Sequence, residues 1–223
     1  MSEVSPHILK SFDTELEQLR SDVITMGKMA AQSMSQSIKG LIEGNIEECS
    51  DVVAEDEAVD QQEKRIDEHG MGILLRYNPM ASDLRMVVSS LNICRSIERI
   101  GDHSVNVAKR ARKILKAGGS PEVRLVEPLY EEAHQLVAAA MLAYADIDGD
   151  LALKVVEMDK KVDRLHKRLA KTLTGLASEA DTETQNLLHL LFIARSLERI
   201  ADLGVNIAED LFFITSAEDI RHS

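Results

Sequence analysis

The sequence predicts an all-α fold, six long helices forming two tandem, pseudo-symmetric three-helix bundles. Three observations lead there. Apolar and small residues recur at three- and four-residue steps through long spans, and no segment sustains the period-two alternation of a half-buried strand. Pro and Gly, which punctuate turns, are few and fall mostly between those spans: four Pro and eleven Gly in 223 residues. Finally, a stretch of the first half recurs in the second without a gap.

The first helix is expected to start near Ser5-Pro6, where Ser can cap and Pro tolerates the first helical position. Its buried face runs through Val23, Met26, Ala30, Met34, Ile38 and Leu41, and Gly44-Asn45 ends it. A second helix is expected from Ile46 to Tyr77, stopped at Asn78-Pro79 because Pro has no amide donor and restricts the residue before it. A third runs from Ala81 to Ala117. Gly118-Gly119-Ser120-Pro121 is the strongest boundary in the chain, and divides it into a first bundle, 1–117, a linker, 118–121, and a second bundle, 122–223. The second half repeats the scheme: a helix from Glu122 to Ala145, a turn at Asp146–Asp150, a helix from Leu151 to Leu173, and a last helix over Glu183–Thr215. Short connections within each half favour antiparallel bundles, since each helix needs another apolar face against its own.

Composition narrows the function classes. Twenty-six Lys+Arg against 38 Asp+Glu give a formal net charge of -12. That balance argues against a duplex-DNA coat, which binds by neutralising phosphates, and three Tyr, four Phe and no Trp offer little stacking surface for single strands. Direct nucleic-acid binding is therefore not expected. No apolar run approaches the roughly 18 residues of a membrane span, and Met1–Lys10 has no basic segment leading into an apolar run. Cys49 and Cys94 make neither a disulfide framework nor a Cys-rich metal site, so the cytoplasm is the expected compartment.

The repeat carries the chemistry. Arg95 to Lys109 aligns with Arg195 to Glu209 at an offset of 100 residues, with nine of fifteen positions identical, charged and amide residues among them. On the preceding helices Asp56 and Asp60 correspond to Asp159 and Asp163 at an offset of 103. Four carboxylate pairs thus share one spacing: Asp56/Asp60, Glu98/Asp102, Asp159/Asp163 and Glu198/Asp202. Residues four apart share a helix face, where like charges repel by a few tenths of a kcal/mol, so each pair needs a compensator. The heptad series Leu84, Leu91, Glu98, Val105 and Leu191, Glu198, Val205, Phe212 place each Glu among apolar positions, where an unpaired charge is costly.

Three readings of these acids stay open. A di- or trivalent cation could draw facing pairs together; Arg95, Arg99, Arg195 and Arg199 could neutralise them in buried salt bridges; or the acids form a solvated face. All-oxygen donors suit hard cations and also hold iron, manganese or zinc, so the spacing does not name the metal. Asn106 and Asn206, four residues past each Asp, could ligate or orient, and the four arginines serve as auxiliary partners.

Other constellations are weaker. Asp146, Asp148, Asp150 and Glu157 match calcium-loop positions, but Leu151 stands where the loop needs Gly, which favours a plain helix connection. There is no Gly-rich loop ending in Gly-Lys-Ser/Thr, no His-Glu-x-x-His and no Cys-x-x-Cys. His103 becomes Leu203 in the repeat; His134, His166 and His189 read as surface or interhelical residues, and Cys94, matched by Ala194, as packing. The basic end of the third helix, Lys109 to Lys113, could meet a phosphate, an acidic loop or solvent, the last being the ordinary case at a helix C-terminus.

The stretch Ala81-Ser82-Asp83-Leu84-Arg85 leading through Glu98-Arg99-Ile100-Gly101-Asp102 to Asn106, with its altered recurrence through Glu198-Arg199-Ile200-Ala201-Asp202 to Asn206, resembles the PhoU family. Gly101 becomes Ala201, and before the second motif Glu183-Thr184-Gln185 replaces the Asp83-Leu84-Arg85 wording. The resemblance implies a pair of three-helix bundles, each with a metal site for iron, zinc, manganese or another divalent or trivalent ion, with Asp56, Asp60, Glu98 and Asp102, then Asp159, Asp163, Glu198 and Asp202, as ligands. It implies a non-enzymatic adapter that negatively regulates phosphate uptake. Its partners would be a phosphate ABC transporter and a membrane sensor histidine kinase, met at the inner face of the membrane, and a homodimer is the family expectation. The alternative from the residues alone is a metal-dependent phosphoester hydrolase or phosphotransfer enzyme, since clustered carboxylates can hold ions that activate water.

Overall fold

The computed structural model describes residues 6–178, 184–218 and 220. The expected Ser5 cap and Glu183 lie outside the described residues. The architecture is all-α: α1 (Pro6–Glu43), α2 (Ile46–Ala54), α3 (Asp56–Tyr77), α4 (Ala81–Lys116), α5 (Glu127–Asp146), α6 (Gly149–Leu176) and α7 (Thr184–Ser216). No strand occurs among the described residues.

Two boundaries differ from the expected ones, for local reasons. The span 46–77 is broken at Glu55, whose N–H bonds the Asp51 carbonyl while its own carbonyl takes the N–H of Ala58, a tightened turn. A continuous helix would stack Asp51 under Glu55 and hold Glu55, Asp56 and Glu57 in mid-helix; the break puts Asp56 and Glu57 at the electropositive start of α3. In the second half, 121–126 is a 3-10 turn and α5 starts only at Glu127. Pro128 explains this, having no N–H to give the carbonyl of Arg124. The 146–150 segment is a connection: Ile147 adopts φ 54° and the Asp148 carboxylate caps α6 by accepting from the N–H of Leu151. With the chain helical from Gly149 onward, it cannot wrap an ion as a calcium loop does.

α4 and α7 form the centre of the molecule. Seventeen of the 36 residues of α4 and fifteen of the 33 of α7 are buried, against four of 22 in α3, because each central helix is covered on two sides. α4 packs on α1, α2 and α3; α7 packs on α5 and α6; and α4 and α7 pack on each other. Arg110 meets His189 and Asn92 meets Asp210, so the pair is antiparallel. α1 lies against α5, where Arg20 donates to the Ala145 carbonyl at 2.8 Å, and the Ser90 and Tyr144 hydroxyls, 2.7 Å apart, join α4 to α5. One apolar core therefore runs through both halves. Cys49 and Cys94 are part of it, free and buried, and burial pushes their thiols up to about 11 and about 12.

Glycine marks where helices come closest. A Cβ at Gly204 would meet Leu136 and Val137 of α5, both buried, whereas one at Gly101 would reach only Val59, at 3.4 Å. The repeat places Ala201 opposite Gly101, consistent with that room. We expect Gly204→Val to lower stability by about 1–3 kcal/mol through overpacking. Gly101→Ala should be neutral or stabilising by up to about 1 kcal/mol, as helix propensity returns. Urea melts of the two variants check the contrast.

Candidate functional site

The first acidic cluster lies between α3 and α4. Asp56 and Asp60 occupy the opening turns of α3, half-buried, facing half-buried Glu98 and exposed Asp102 on α4. Their fields overlap. Burial first, then Asp60 and Asp102, raises the Asp56 carboxyl above its ordinary range. Glu98 is pushed up to about 7, by burial first and then by Asp102, Glu63 and Asp60, with Arg99 opposing.

Glu63 is the residue that sequence reasoning missed. It and Asp67 continue the Asp56, Asp60 row at helical steps on α3, both half-buried, and burial with Asp67 and Asp60 raises Glu63 in turn. The signal was present in the spacing. The repeat hid it, because the equivalent residues of α6 are His166 and Ala170.

The second cluster lies between α6 and α7. Asp159 is raised by burial, Asp163 and Glu198. Asp202 is pushed up to about 6 by burial, Glu198 and Asp159, against the pull of Arg199. The halves differ in their cations. Asp163 accepts from Lys167 at 3.0 Å, and Arg199 lies 3.2 Å from Asp202 and 3.6 Å from Glu198. No ion-pair partner meets Asp56, Asp60, Glu98 or Asp102 among the described residues.

The expected auxiliary residues divide. Arg199 acts as the compensator in the second half. Arg95 donates to the Asn92 side chain at 3.2 Å and lowers Glu63 through its field. Asn206 borders a cleft with Asp159 and Asp202, whereas Asn106 lies in a different cleft, among Arg99, Arg110 and Arg195. His103 opens onto both clefts, and burial, with Arg99 and Arg199 nearby, lowers its imidazole below the ordinary range. His189 accepts at Nδ1 from Arg110 at 3.2 Å, an interhelical bond as expected.

For a metal, the donor chemistry of the first half fits: crowded carboxylates from two helices that, among the described residues, make no ion pair. The side chains are not drawn together, however. Among the described residues no group of three or more His, Cys, Asp or Glu converges closely enough to hold an ion. Nor does any described helix have the length and apolarity to cross a membrane.

Known proteins resemble this chain in sequence and fold. The PhoU domain family matches residues 23–111 and 126–211, one match per half. A phosphate-specific transport system accessory protein PhoU homolog of Pseudomonas putida is 34% identical over 217 residues, 97% of this chain and 85% of that protein. The crystal structure of PhoU from Pseudomonas aeruginosa superposes with a TM-score of 0.90 at 34% identity, covering 93% of this chain and 100% of that one. The phosphate transport system regulatory protein PhoU from Streptococcus pneumoniae gives a TM-score of 0.86 at 25% identity, over 94% of this chain and 99% of that one.

The raised Glu98 carboxyl has a signed consequence. Between its ordinary value of 4.5 and about 7 the folded chain holds a proton that the unfolded chain has released. Stability from this group is thus fully present below about pH 4.5 and falls as pH rises toward 7. In chelator-treated protein the melting temperature should drop between pH 5 and 8, and Glu98→Gln should flatten that drop and raise the melting temperature at pH 8. A Glu98→Gln profile parallel to wild type would show the repulsion to be absent.

Proposed function

Because the chain belongs to the PhoU family, we propose that it is the accessory regulator of a phosphate-specific transport system, working as a metal-binding adapter rather than a catalyst. Regulation of phosphate transport is the function of the family. The adapter reading adds that the chain restrains a phosphate ABC transporter and a membrane sensor histidine kinase from the cytoplasmic face, as a homodimer. The single observation that carries the metal part is the first cluster: four carboxylates from α3 and α4, none with an ion-pair partner among the described residues, whose crowding with burial raises Asp56 and Glu98 against only the longer-range fields of Lys109 and Arg99. Asp56, Asp60, Glu98 and Asp102 would hold the ion there, and Asp159, Asp163, Glu198 and Asp202 its counterpart. A bound cation would supply the charge neutralisation whose lack now favours protonation, and so fix α3 against α4. That couples occupancy to the shape of the surface a partner meets.

The enzymatic alternative has no support among the relatives, which are described as accessory or regulatory proteins.

Two measurements test this reading. Element-resolved mass spectrometry of protein purified without added metal should find iron, zinc or manganese in wild type and lose it in the E98A/D102A/E198A/D202A variant, with helicity retained. Loss should be greater for E98A/D102A than for E198A/D202A, since Lys167 and Arg199 already neutralise part of the second cluster. In cells, deletion should switch on phosphate-starvation genes in phosphate-replete medium; unchanged phosphate control would sink the regulatory reading, and metal-free wild type that cannot be reloaded would sink the metal part alone.

A further inference from the structure

Between the two acidic clusters the surface changes sign. A groove of about 440 Å³ runs along the seam of α4 and α7, and its wall carries Arg99 and Arg110 from α4 and Arg195 and Arg199 from α7, with Asn106 and Ser196 between them. Among the described residues no carboxylate lines it. In a chain of net charge -12, four guanidiniums on one groove are a local concentration of positive charge.

Their partners show which are available. Arg110 is held in place, 4.0 Å above the Phe192 ring and bonded to His189. Arg199 is anchored at the far end by Asp202. Arg99 and Arg195 meet no carboxylate within ion-pair distance among the described residues, although each lies on a helix that also carries acidic-cluster residues. Two fixed cations thus frame two free ones.

We propose that this groove is an anion site for a phosphate group. Guanidinium forks match the spacing of tetrahedral oxyanion oxygens and bind them in pairs, so a phosphate dianion can bridge Arg99 and Arg195 while Asn106 and Ser196 donate to a remaining oxygen. A single carboxylate, with one charge and two oxygens, could bridge Arg99 and Arg195 but would leave no oxygen for Asn106 and Ser196 and half of that pair's charge uncompensated. The volume holds inorganic phosphate with water or the phosphate end of a small ester. Because each half contributes two arginines, the site exists only when α4 and α7 are packed together, and a bound anion would clamp that seam. The site shares Arg199 with the second acidic cluster but needs no metal there to bind an anion.

The test is calorimetric titration of chelator-treated full-length protein with inorganic phosphate and, separately, glycerol 3-phosphate, at fixed ionic strength. Saturable binding of either is expected, weakened at least tenfold in R99Q/R195Q and unchanged in K154Q/K171Q, which removes the same charge from exposed positions elsewhere. The tighter probe identifies the source: free phosphate or an ester. Absence of saturable binding by both probes overturns the proposal, as does equal binding by wild type and R99Q/R195Q, or binding of a polyglutamate peptide alone. Should the double variant melt early, R195Q alone is read by the same criterion. Failure here leaves the transport role intact, since that role is read from gene expression in the deletion strain.

Discussion

The packing of α4 on α7 is the constraint on which the rest of the molecule depends. Both helices spend nearly half their residues in the core, so each has only a narrow strip of surface left for charge. On α4 that strip carries Glu98 and Asp102 toward α3 and Arg99 and Arg110 toward α7; on α7 it carries Glu198 and Asp202 toward α6 and Arg195 and Arg199 toward α4. Helical geometry does this sorting. In the shared Glu-Arg-Ile-x-Asp wording, the Glu and Asp four apart fall on one flank and the Arg on another, while the Ile enters the core, where both Ile100 and Ile200 are buried.

Half-burial gives the acidic flanks their character. A carboxylate in open water would be screened by solvent and salt; one deep in the core would force a partner or stay protonated. Glu98 and Asp202 sit between these limits, at about 7 and about 6. They are wet enough to ionise, yet crowded enough that ionising is unfavourable without a nearby positive charge. The halves resolve this differently. The second draws in Lys167 and Arg199 from its own helices, whereas the first extends its acids along α3 through Glu63 and Asp67 and, among the described residues, makes no ion pair, feeling only the longer-range fields of Arg95, Arg99 and Lys109. Duplication has preserved the spacing while the compensation has diverged.

Much of this was legible in the sequence, and the limits are instructive. The helical periods of Val23 to Leu41 and the 100-residue recurrence fixed the class and the internal symmetry, since both depend on local geometry. Asp56, Asp60, Glu98 and Asp102 could be paired because each pair lies within one helix and the repeat tied the pairs together. What escaped was of two kinds. The break at Glu55 and the delayed start of α5 at Glu127 turn on single residues, a charge run and Pro128, that weigh little in a pattern dozens of residues long. The basic groove depends on which helices of different halves meet, and no local pattern carries that. Arg99 and Arg195 look in sequence like neighbours of the acids beside them; only the antiparallel seam turns them toward one another.

That seam joins the two kinds of site through Arg199. It borders the groove with Arg99, Arg110 and Arg195, and it also lies against Glu198 and Asp202 of the second cluster. A guanidinium has one position at a time. Whatever holds it toward the acids withdraws positive charge from the groove, and whatever neutralises the acids lets it return. Arg99, its equivalent in the first half, opposes the rise of Glu98 through its field but makes no ion pair, so on that side the acids and the groove interact only through the longer-range field. The chain therefore couples its charges strongly in one half and weakly in the other, with the shared α4 and α7 seam lying between the two.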